Sequence, residues 1–497
     1  MEDMSNVLKM SSKSNEKQSI RIETQVLEPQ SVSDTDCVFN IPSKGILDRG
    51  SRVLLPVYMA NGDQRLGVLG GAYAFIERAT LRTSDGVVIA QTDDANYLMS
   101  MRNQFNPQGV REKKQFLMNG VQNVYELGTS IGTAQNGRIQ IKGKYTGSDG
   151  DTEERYRMPT ANTYSVEPVY SIKLAELFPE SLTFQIPVFL LKGQLQLVLR
   201  FTATGRGGFR NTAVTSAGNV SNVNFNTAKI KFVSDHIYFD APTMAKLQNQ
   251  ANGKQGIVIP YGDFNTIKLN IVSDNPALGA GATLEQEYRK NIGLSGLRVR
   301  YMLIHKGEVG TNNDHTDAQL IMGKTASSGC EKAKGESYNV IINNRQYYPV
   351  DIEMDSMKYT ELEDVYGVPI SCPRPCFSNV GCVNDAKLVA DGATGGGFTG
   401  ADANLFGFAG SSLLNNTNFY GKSQQNLGGS SNIIGINFSS VRGNVPNSGI
   451  KVGQVPIEFK YKNTYTNHYD FSKMLRMFVC VERVMVWKNG QIFTTYS

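Results

Sequence analysis

The residue types that most often carry chemistry are sparse in this chain. It has four histidines, and none lies in an H-E-x-x-H or H-x-H ligand pattern. His236 falls inside a predicted strand, which indicates a packed residue of the core or of an interface. His315 lies in the polar loop 312–317, where a solvated imidazole is expected; the other two are His305 and His468.

The cysteines form one cluster, in which Cys372 and Cys376 flank Pro-Arg-Pro and Cys382 follows. Cys330 is the nearest other thiol. The spacing lacks the paired C-x2-C form of structural zinc sites, and no histidine is close in sequence. It favours a loop stiffened by proline with free thiols. Whether these four cysteines form a metal site or a disulfide stays open at this point.

The segment Ala318–Thr325 resembles a phosphate-binding loop, with Ala in place of the first Gly. Such a loop wraps backbone N–H groups around phosphates between a strand and a helix. Here its interior is Leu-Ile-Met, and polar loops flank it on both sides. The carboxylate pairs Asp93-Asp94, Glu153-Glu154 and Glu361/Glu363-Asp364 are more typical of caps and solvated faces than of an acid–base pair. We therefore predict no catalytic, cofactor-binding or metal-binding residues, and no enzyme.

Length and charge bound the remaining functions. The 497 residues fit two large β domains. A net charge of +5, from 50 basic and 45 acidic residues without a basic cluster, argues against sequence-specific binding of nucleic acid. The polar start, Met1 to Gln18, predicts no signal peptide and synthesis in the cytosol.

The elements that would position any site are mostly strands. Residues alternate between apolar and polar with the period of two that a half-buried strand requires. The clearest such runs are 139–142, 194–201, 267–271, 297–303 and 457–462. Asp85-Gly86 and Asn489-Gly490 predict tight hairpins, because these turns need a positive φ.

Helix signals are few, and two stretches have low complexity. Short helices are predicted over 95–105, up to about 120, over 242–251 and over 283–291. Residues 205–226 and 385–447 are rich in Gly, Asn, Ser and Thr, and we expect them to form long surface loops.

A weak repeat relates the two halves of the chain. Ala228–Ala241 and Lys473–Lys488 each read as a strand that a polar pair interrupts, Ser234-Asp235 and Glu482-Arg483 respectively, and each strand closes its half. The repeat predicts two similar β-sandwiches. The expected division is a flexible arm at 1–25, a first sandwich at 26–243, a linker at 244–256 and a second sandwich at 257–497 that carries the long loop 385–447.

Three stretches resemble a known family, the double jelly-roll major capsid proteins of virophages, polinton-like viruses and large eukaryotic DNA viruses. Ser234–Asp240 with its following helix is similar to the "DYIYLD" end of the first jelly roll. Gln185–Leu191 is similar to the "LPLIAL" strand, and Tyr469–Met477 to the closing strand "YNVLRI". His236 departs from the usual Tyr, and the final hairpin 484–494 extends past the large-virus pattern.

The resemblance implies an all-β fold of two tandem eight-stranded jelly rolls with short helices and long loops. It implies a major capsid protein whose trimers are pseudo-hexameric capsomers of an icosahedral shell. The implied partners are further copies of the chain, penton proteins and minor or cement proteins, with an internal membrane compatible. The implied location is the virion, assembled inside the host cell.

Two other classes remain as alternatives. One is a minor capsid protein, a penton or a spike, although a penton normally needs only one sandwich. The other is a carbohydrate-binding β-sandwich, which usually presents aromatic platforms. The single tryptophan, Trp487, lies in a predicted strand and supplies such a platform poorly.

Overall fold

The computed structural model describes sixteen parts of the chain. They are residues 20–33, 35–59, 64–66, 71–104, 118, 169–201, 209–211, 223–225, 229–271, 283–308, 334–353, 355–366, 433–439, 448–453, 457–466 and 473–496.

Strands dominate both halves, as the alternating sequence predicts. The first half contains β1 (Arg21–Leu27), β2 (Ser31–Val32), β3 (Asp36–Ile41), β4 (Ile46–Leu47), β5 (Arg52–Met59), β6 (Gln64–Leu66), β7 (Ile76–Thr83), β8 (Val88–Asp93), β9 (Val169–Lys173), β10 (Leu195–Phe201), β11 (Phe209–Asn211), β12 (Val223–Phe225) and β13 (Lys231–Tyr238). The second half contains β14 (Ile257–Ile271), β15 (Thr283–Gly293), β16 (Arg298–Glu308), β17 (Lys334–Ile342), β18 (Arg345–Gln346), β19 (Ile433–Asn437), β20 (Ile450–Lys451), β21 (Ile457–Thr466), β22 (Lys473–Lys488) and β23 (Gln491–Tyr496).

The helices are short and lie between strands. They are α1 (Ala95–Gln104), α2 (Leu174–Leu177), α3 (Ala241–Ala251) and α4 (Asp355–Tyr366), with 3-10 turns at Gly71–Phe75 and Val188–Leu190. No helix in the described part of the chain combines the length and the apolar character needed to cross a bilayer.

Each half is built from two antiparallel sheets with the same strand order. In the first half one sheet runs β1–β13–β5–β9 and the other β3–β10–β7–β8. In the second half the sheets run β14–β22–β16–β19 and β15–β21–β17–β18. Numbered one to eight along each half, these strands give the orders 1-8-3-6 and 2-7-4-5 twice, which is the jelly-roll arrangement of a double-sheet sandwich.

The repeated closing strands occupy equivalent places, because β13 lies between β1 and β5, and β22 lies between β14 and β16. The polar pairs do not interrupt these strands, which run through unbroken. Asp235 instead forms an ion pair with Arg52 of β5, and Glu482 forms one with Arg298 of β16. In both halves the acidic residue thus connects the eighth strand to the third.

Each sandwich encloses a core formed by alternate residues of its two sheets. Leu195, Leu197 and Leu199 of β10 face the first core, as their period of two predicts. Val479 and Val481 of β22 face the second. The first core also contains residues of the second half, namely Ile257, Ile259, Tyr261, Met485, Trp487 and Ile492. The two sandwiches therefore share apolar packing, which two separately folded domains would not.

The predicted helix at 283–291 is wrong: these residues belong to β15. Gln286 and Tyr288 are more buried than Glu285 and Glu287, and Tyr288 packs on the second core. Opposite charges pair across to β21, between Glu285 and Lys462 and between Glu287 and Lys460. Pairing along the whole length of β21 overrides the helix propensity of the glutamates, which depends on context.

The strand expected at Gln185–Leu191 is also wrong. Ile186 makes one isolated bridge to Leu47, and a 3-10 turn follows at Val188–Leu190. Pro187 explains the break, because it has no N–H to donate to a ladder and its ring restricts φ. The expected loops also contain strands: β11 and β12 lie within 205–226, and β19 lies within 385–447.

The other expected elements agree with the structure, except that the flexible arm expected at 1–25 overlaps a strand. Both hairpins form, with Gly86 and Gly490 at positive φ. The helices near 95–105 and 242–251 are α1 and α3, and residues 21–25 of the expected arm belong to β1. The strand at 139–142, the helix near 106–120 and most of the two loops lie outside the described residues.

Candidate functional site: the junction between the two sandwiches

Helix α1 lies in the junction, where the first sandwich meets the outer face of the sheet β14–β22–β16–β19. Its residues Ala95 to Met99 and Met101 are buried. Tyr97, Leu98 and Met101 join a third apolar cluster whose other members come from the second half: Phe264, Tyr301, Leu303, Leu362, Val365, Ile433, Phe478 and Cys480. The helix of one sandwich thus completes the packing of the other.

A buried acid in the first half holds two arginines together. The Glu180 carboxylate accepts from Arg300 Nη2 at 3.1 Å and from Arg102 Nη1 at 3.2 Å. Arg300, on β16, also donates to Cys480 Sγ at 3.3 Å. A Cβ on Gly262 of β14 would overlap the Arg300 guanidinium, so glycine is required for this approach. Charges this deeply buried need such pairing, because desolvation is costly.

A second ionic cluster centres on Asp263 of β14. Its carboxylate accepts from Arg483 Nη1 at 2.6 Å and from Ser181 Oγ of the first half at 3.1 Å. The backbone N–H of Phe264 donates to it as well, at 3.0 Å. Burial raises the pKa of Asp263 above its usual value, although the Arg483 guanidinium opposes this shift.

Side chains of the second half cover the open edge of β8. Tyr261 Oη donates to the carbonyl of Ile89 at 2.8 Å, and Thr266 Oγ1 to that of Asp93 at 3.4 Å. Lys268 Nζ binds the carboxylate of Asp94, the residue before α1, at 2.8 Å. An uncovered edge strand is a template for unwanted pairing, so these contacts both satisfy and block the edge.

A buried arginine stacks on α1. Arg476 of β22 is 1% exposed, and its guanidinium carbon lies 4.0 Å from the centroid of the Tyr97 ring. His305, opposite Arg476 on β16, has its ring centroid 4.9 Å from that of Tyr97. A desolvated cation over a tyrosine face is attractive, which adds a further contact between the halves.

The residues singled out from the sequence lie in several places. His236 is fully buried in β13, as expected, and burial lowers its pKa. Asp93 pairs with Arg78, whereas Asp94 reaches the second half. Glu361 on α4 accepts from the Tyr348 hydroxyl, and burial raises its pKa.

Several sequence candidates cannot be placed. Cys330, Cys372, Cys376, Cys382, His315, His468, Glu153-Glu154 and the loop 318–325 lie outside the described residues. Within those residues, no group of three or more His, Cys, Asp or Glu is placed to hold a metal ion.

Sequence reasoning missed the residues that matter most at the junction: Glu180, Asp263, Arg300 and Arg476. One signal was available. Arg300 and Arg476 are charged residues in strongly apolar strands, where a buried charge demands a partner. The identity of the partners was not readable, because Glu180 is 120 residues from Arg300 along the chain.

Comparison with solved structures identifies the architecture. The protein is similar to VP54 of PBCV-1, as fitted into a cryo-EM reconstruction of the virophage Sputnik, over 98% of this chain and 99% of the other, with a TM-score of 0.55 and 9% identity. A quasi-atomic model of the PBCV-1 capsid gives a TM-score of 0.56 with the same coverage and identity. The major capsid protein of mavirus matches with a TM-score of 0.47 and 13% identity over 98% and 93% of the two chains.

No family model and no curated protein matches the sequence. At such low identity the similarity establishes the fold, and the repeated strand order establishes it independently. This chain therefore has the double jelly-roll fold found in the capsid protein of PBCV-1.

Proposed function

We propose that this chain is the major capsid protein of an icosahedral virion and that three copies form a pseudo-hexameric capsomer. The observation that carries the proposal is the strand order 1-8-3-6 and 2-7-4-5, which occurs twice in one chain. Two similar sandwiches per chain give six per trimer, and a tile with six similar sides can pave a facet. The whole-length similarity to a PBCV-1 capsid protein supports the same function.

The junction favours a fixed orientation of the two sandwiches within one chain. Apolar packing around α1 and the Glu180 and Asp263 clusters connect the sandwiches over a wide contact. A rigid relation between the two halves is needed if all six sandwiches of a ring are to meet their neighbours in similar ways.

We also propose a structural and not a catalytic role. The buried ionisable groups at the junction, Glu180, Arg300, Asp263 and Arg483, are used in contacts with one another and with neighbouring backbone. A reactive site needs groups that converge on a cleft open to substrate.

The remaining assignments belong to the same proposal. The chain resides in the virion, its neighbours include penton and minor or cement proteins, and no sequence-specific contact with nucleic acid is required. We also propose the division predicted from the sequence, an arm at 1–25, jelly rolls at 26–243 and 257–497 and a linker at 244–256, with residues 21–25 of the arm supplying most of the strand β1 of the first jelly roll.

The mass of the purified full-length chain in solution tests the proposal. Light scattering after size exclusion should give about 164 kDa, three times the 54.6 kDa of one chain, and electron micrographs should show particles of hexagonal outline. A protein that stays monomeric at high concentration contradicts the proposal. A pentamer would instead favour a penton, and a monomer that binds glycans would favour a carbohydrate-binding protein.

A further inference from the structure

The outer face of β14 shows how one sandwich receives its neighbour. Ile267, Leu269 and Ile271 pack on the second core, so the alternate residues Phe264, Thr266 and Lys268 face outward. That outward face is covered by α1 and by the edge of β8, both from the first half. At the junction, therefore, the fifth strand of the first sandwich, β8, and the helix after it, α1, cover the first strand of the second sandwich, β14.

The first strand of the first sandwich, β1, has no such cover within the described residues. Leu27 packs on the first core, and Ile20, Ile22, Thr24 and Val26 alternate on the other side. Ile22 is 62% exposed and Val26 is 55% exposed. Ile20, directly before the strand, is exposed as well. Three large apolar side chains exposed on one side of an extended segment are typical of an interaction surface.

The second sandwich carries the complementary element. Its fifth strand, β18, is followed by a segment that continues beside β17, where Tyr347 N–H donates to the carbonyl of Val340 and Ile352 pairs with Tyr338. Helix α4 comes next, in the chain position that α1 has in the first half. Residues 343–347 and 349–350 are exposed, and Val350 is 59% exposed.

We propose that the outer face of β1 binds residues 345–350 of a second copy of this chain. Within the described residues, each copy then offers one uncovered first strand and one uncovered fifth-strand edge, so the contact is head-to-tail. Such contacts build closed rings when their rotation closes. The contact repeats between chains the junction that each chain already contains. This inference rests on the proposed trimer and names the surfaces that form it.

Two exposed valines on equivalent strands provide a matched test. Val26 lies on the proposed surface, and Val258 of β14, 48% exposed, lies outside it. Val26→Lys should shift the mass of the full-length protein from three chains to one, because a buried lysine without a partner is disfavoured. Val258→Lys should leave the trimer intact. Circular dichroism of both variants checks that they are folded.

A crosslink tests the same contact without weakening it. The double variant Val26→Cys, Val350→Cys should form oxidant-dependent dimers and trimers on a non-reducing gel, and each single variant should not. Trimeric Val26→Lys protein, or the absence of crosslinks in the double variant of a trimeric protein, would overturn the inference and leave the proposed function standing. A wild-type chain that remains monomeric would instead overturn the proposed function.

Discussion

At the scale of single residues, the junction depends on charges removed from water. Glu180 is 1% exposed, and two arginines donate to its carboxylate. Arg300 reaches it only because position 262 has no side chain. Buried ion pairs add little net stability compared with apolar packing, but breaking one leaves an uncompensated charge. The cluster therefore favours this arrangement of the two halves, because an arrangement that separates Glu180 from Arg300 would leave a buried charge without its partner.

Replacing Glu180 with Gln should destabilise the protein strongly. The substitution keeps the shape but leaves Arg300 buried without its counter-charge, and we expect the free energy of unfolding to fall by about 3 kcal/mol. Urea titration followed by circular dichroism measures the change.

Glu77→Gln is the matched control. Glu77 faces Arg200 at 3.8 Å, and both side chains are more than one-third exposed. A surface pair of this kind contributes less than about 1 kcal/mol. Equal effects of the two substitutions would show that the buried cluster is unimportant.

At the scale of elements, helix α1 is buried because both sandwiches contact it. It packs on its own half and supplies Tyr97, Leu98 and Met101 to a cluster with the second half. Even the polar side chain of Asn96 is buried there, between apolar neighbours of the same helix. The helix therefore fills the space between a sheet of the first sandwich and a sheet of the second.

Shortening a buried side chain of α1 should destabilise the protein. Leu98→Ala removes a fully buried side chain and leaves a cavity at the junction, which typically lowers the free energy of unfolding by about 2–5 kcal/mol. Thermal unfolding should show a lower Tm.

Lys246→Ala is the control, because it shortens an exposed side chain in another helix, α3, to the same residue. Surface changes of this type usually stay within about 0.5 kcal/mol. If Leu98→Ala left the Tm unchanged, α1 would not be part of the stabilising contact.

At the scale of the whole molecule, each sandwich contributes residues to an apolar cluster of the other. Met485 and Trp487 of the second half belong to the first core, and α1 of the first half belongs to the outer cluster of the second. Each half thus completes the packing of the other, which couples their unfolding.

This coupling predicts one cooperative transition. The chain has a single tryptophan, Trp487, which is 1% exposed at the shared core. Its fluorescence should change at the same urea concentration as the far-ultraviolet circular dichroism, because local loss of the junction exposes both cores. Two well-separated unfolding midpoints, one from fluorescence and one from circular dichroism, would contradict the shared apolar packing of the two halves.

The sequence by itself determined the strands, the tight turns and the duplication. Period-two alternation at Leu195–Phe201 and the Asn489-Gly490 turn are local signals, set by the geometry of a pleated strand and by the positive φ of a turn. The polar pairs of β13 and β22 marked the repeat because charges inside apolar strands are rare. The same local reasoning failed at 283–291, where pairing with β21 outweighed helix propensity, and at Pro187.

Only the tertiary structure decided which residues meet at the junction and which faces stay open. Glu180 and Arg300, Asp263 and Arg483, and α1 and β14 are brought together by the path of the strands between them, over separations of more than 100 residues. Exposure of Ile22 and Val26 likewise depends on what covers a strand, and the alternation of residues along that strand is the same in either case. A sequence period specifies that one side of a strand is apolar, whereas the arrangement of neighbouring sandwiches specifies what that side touches.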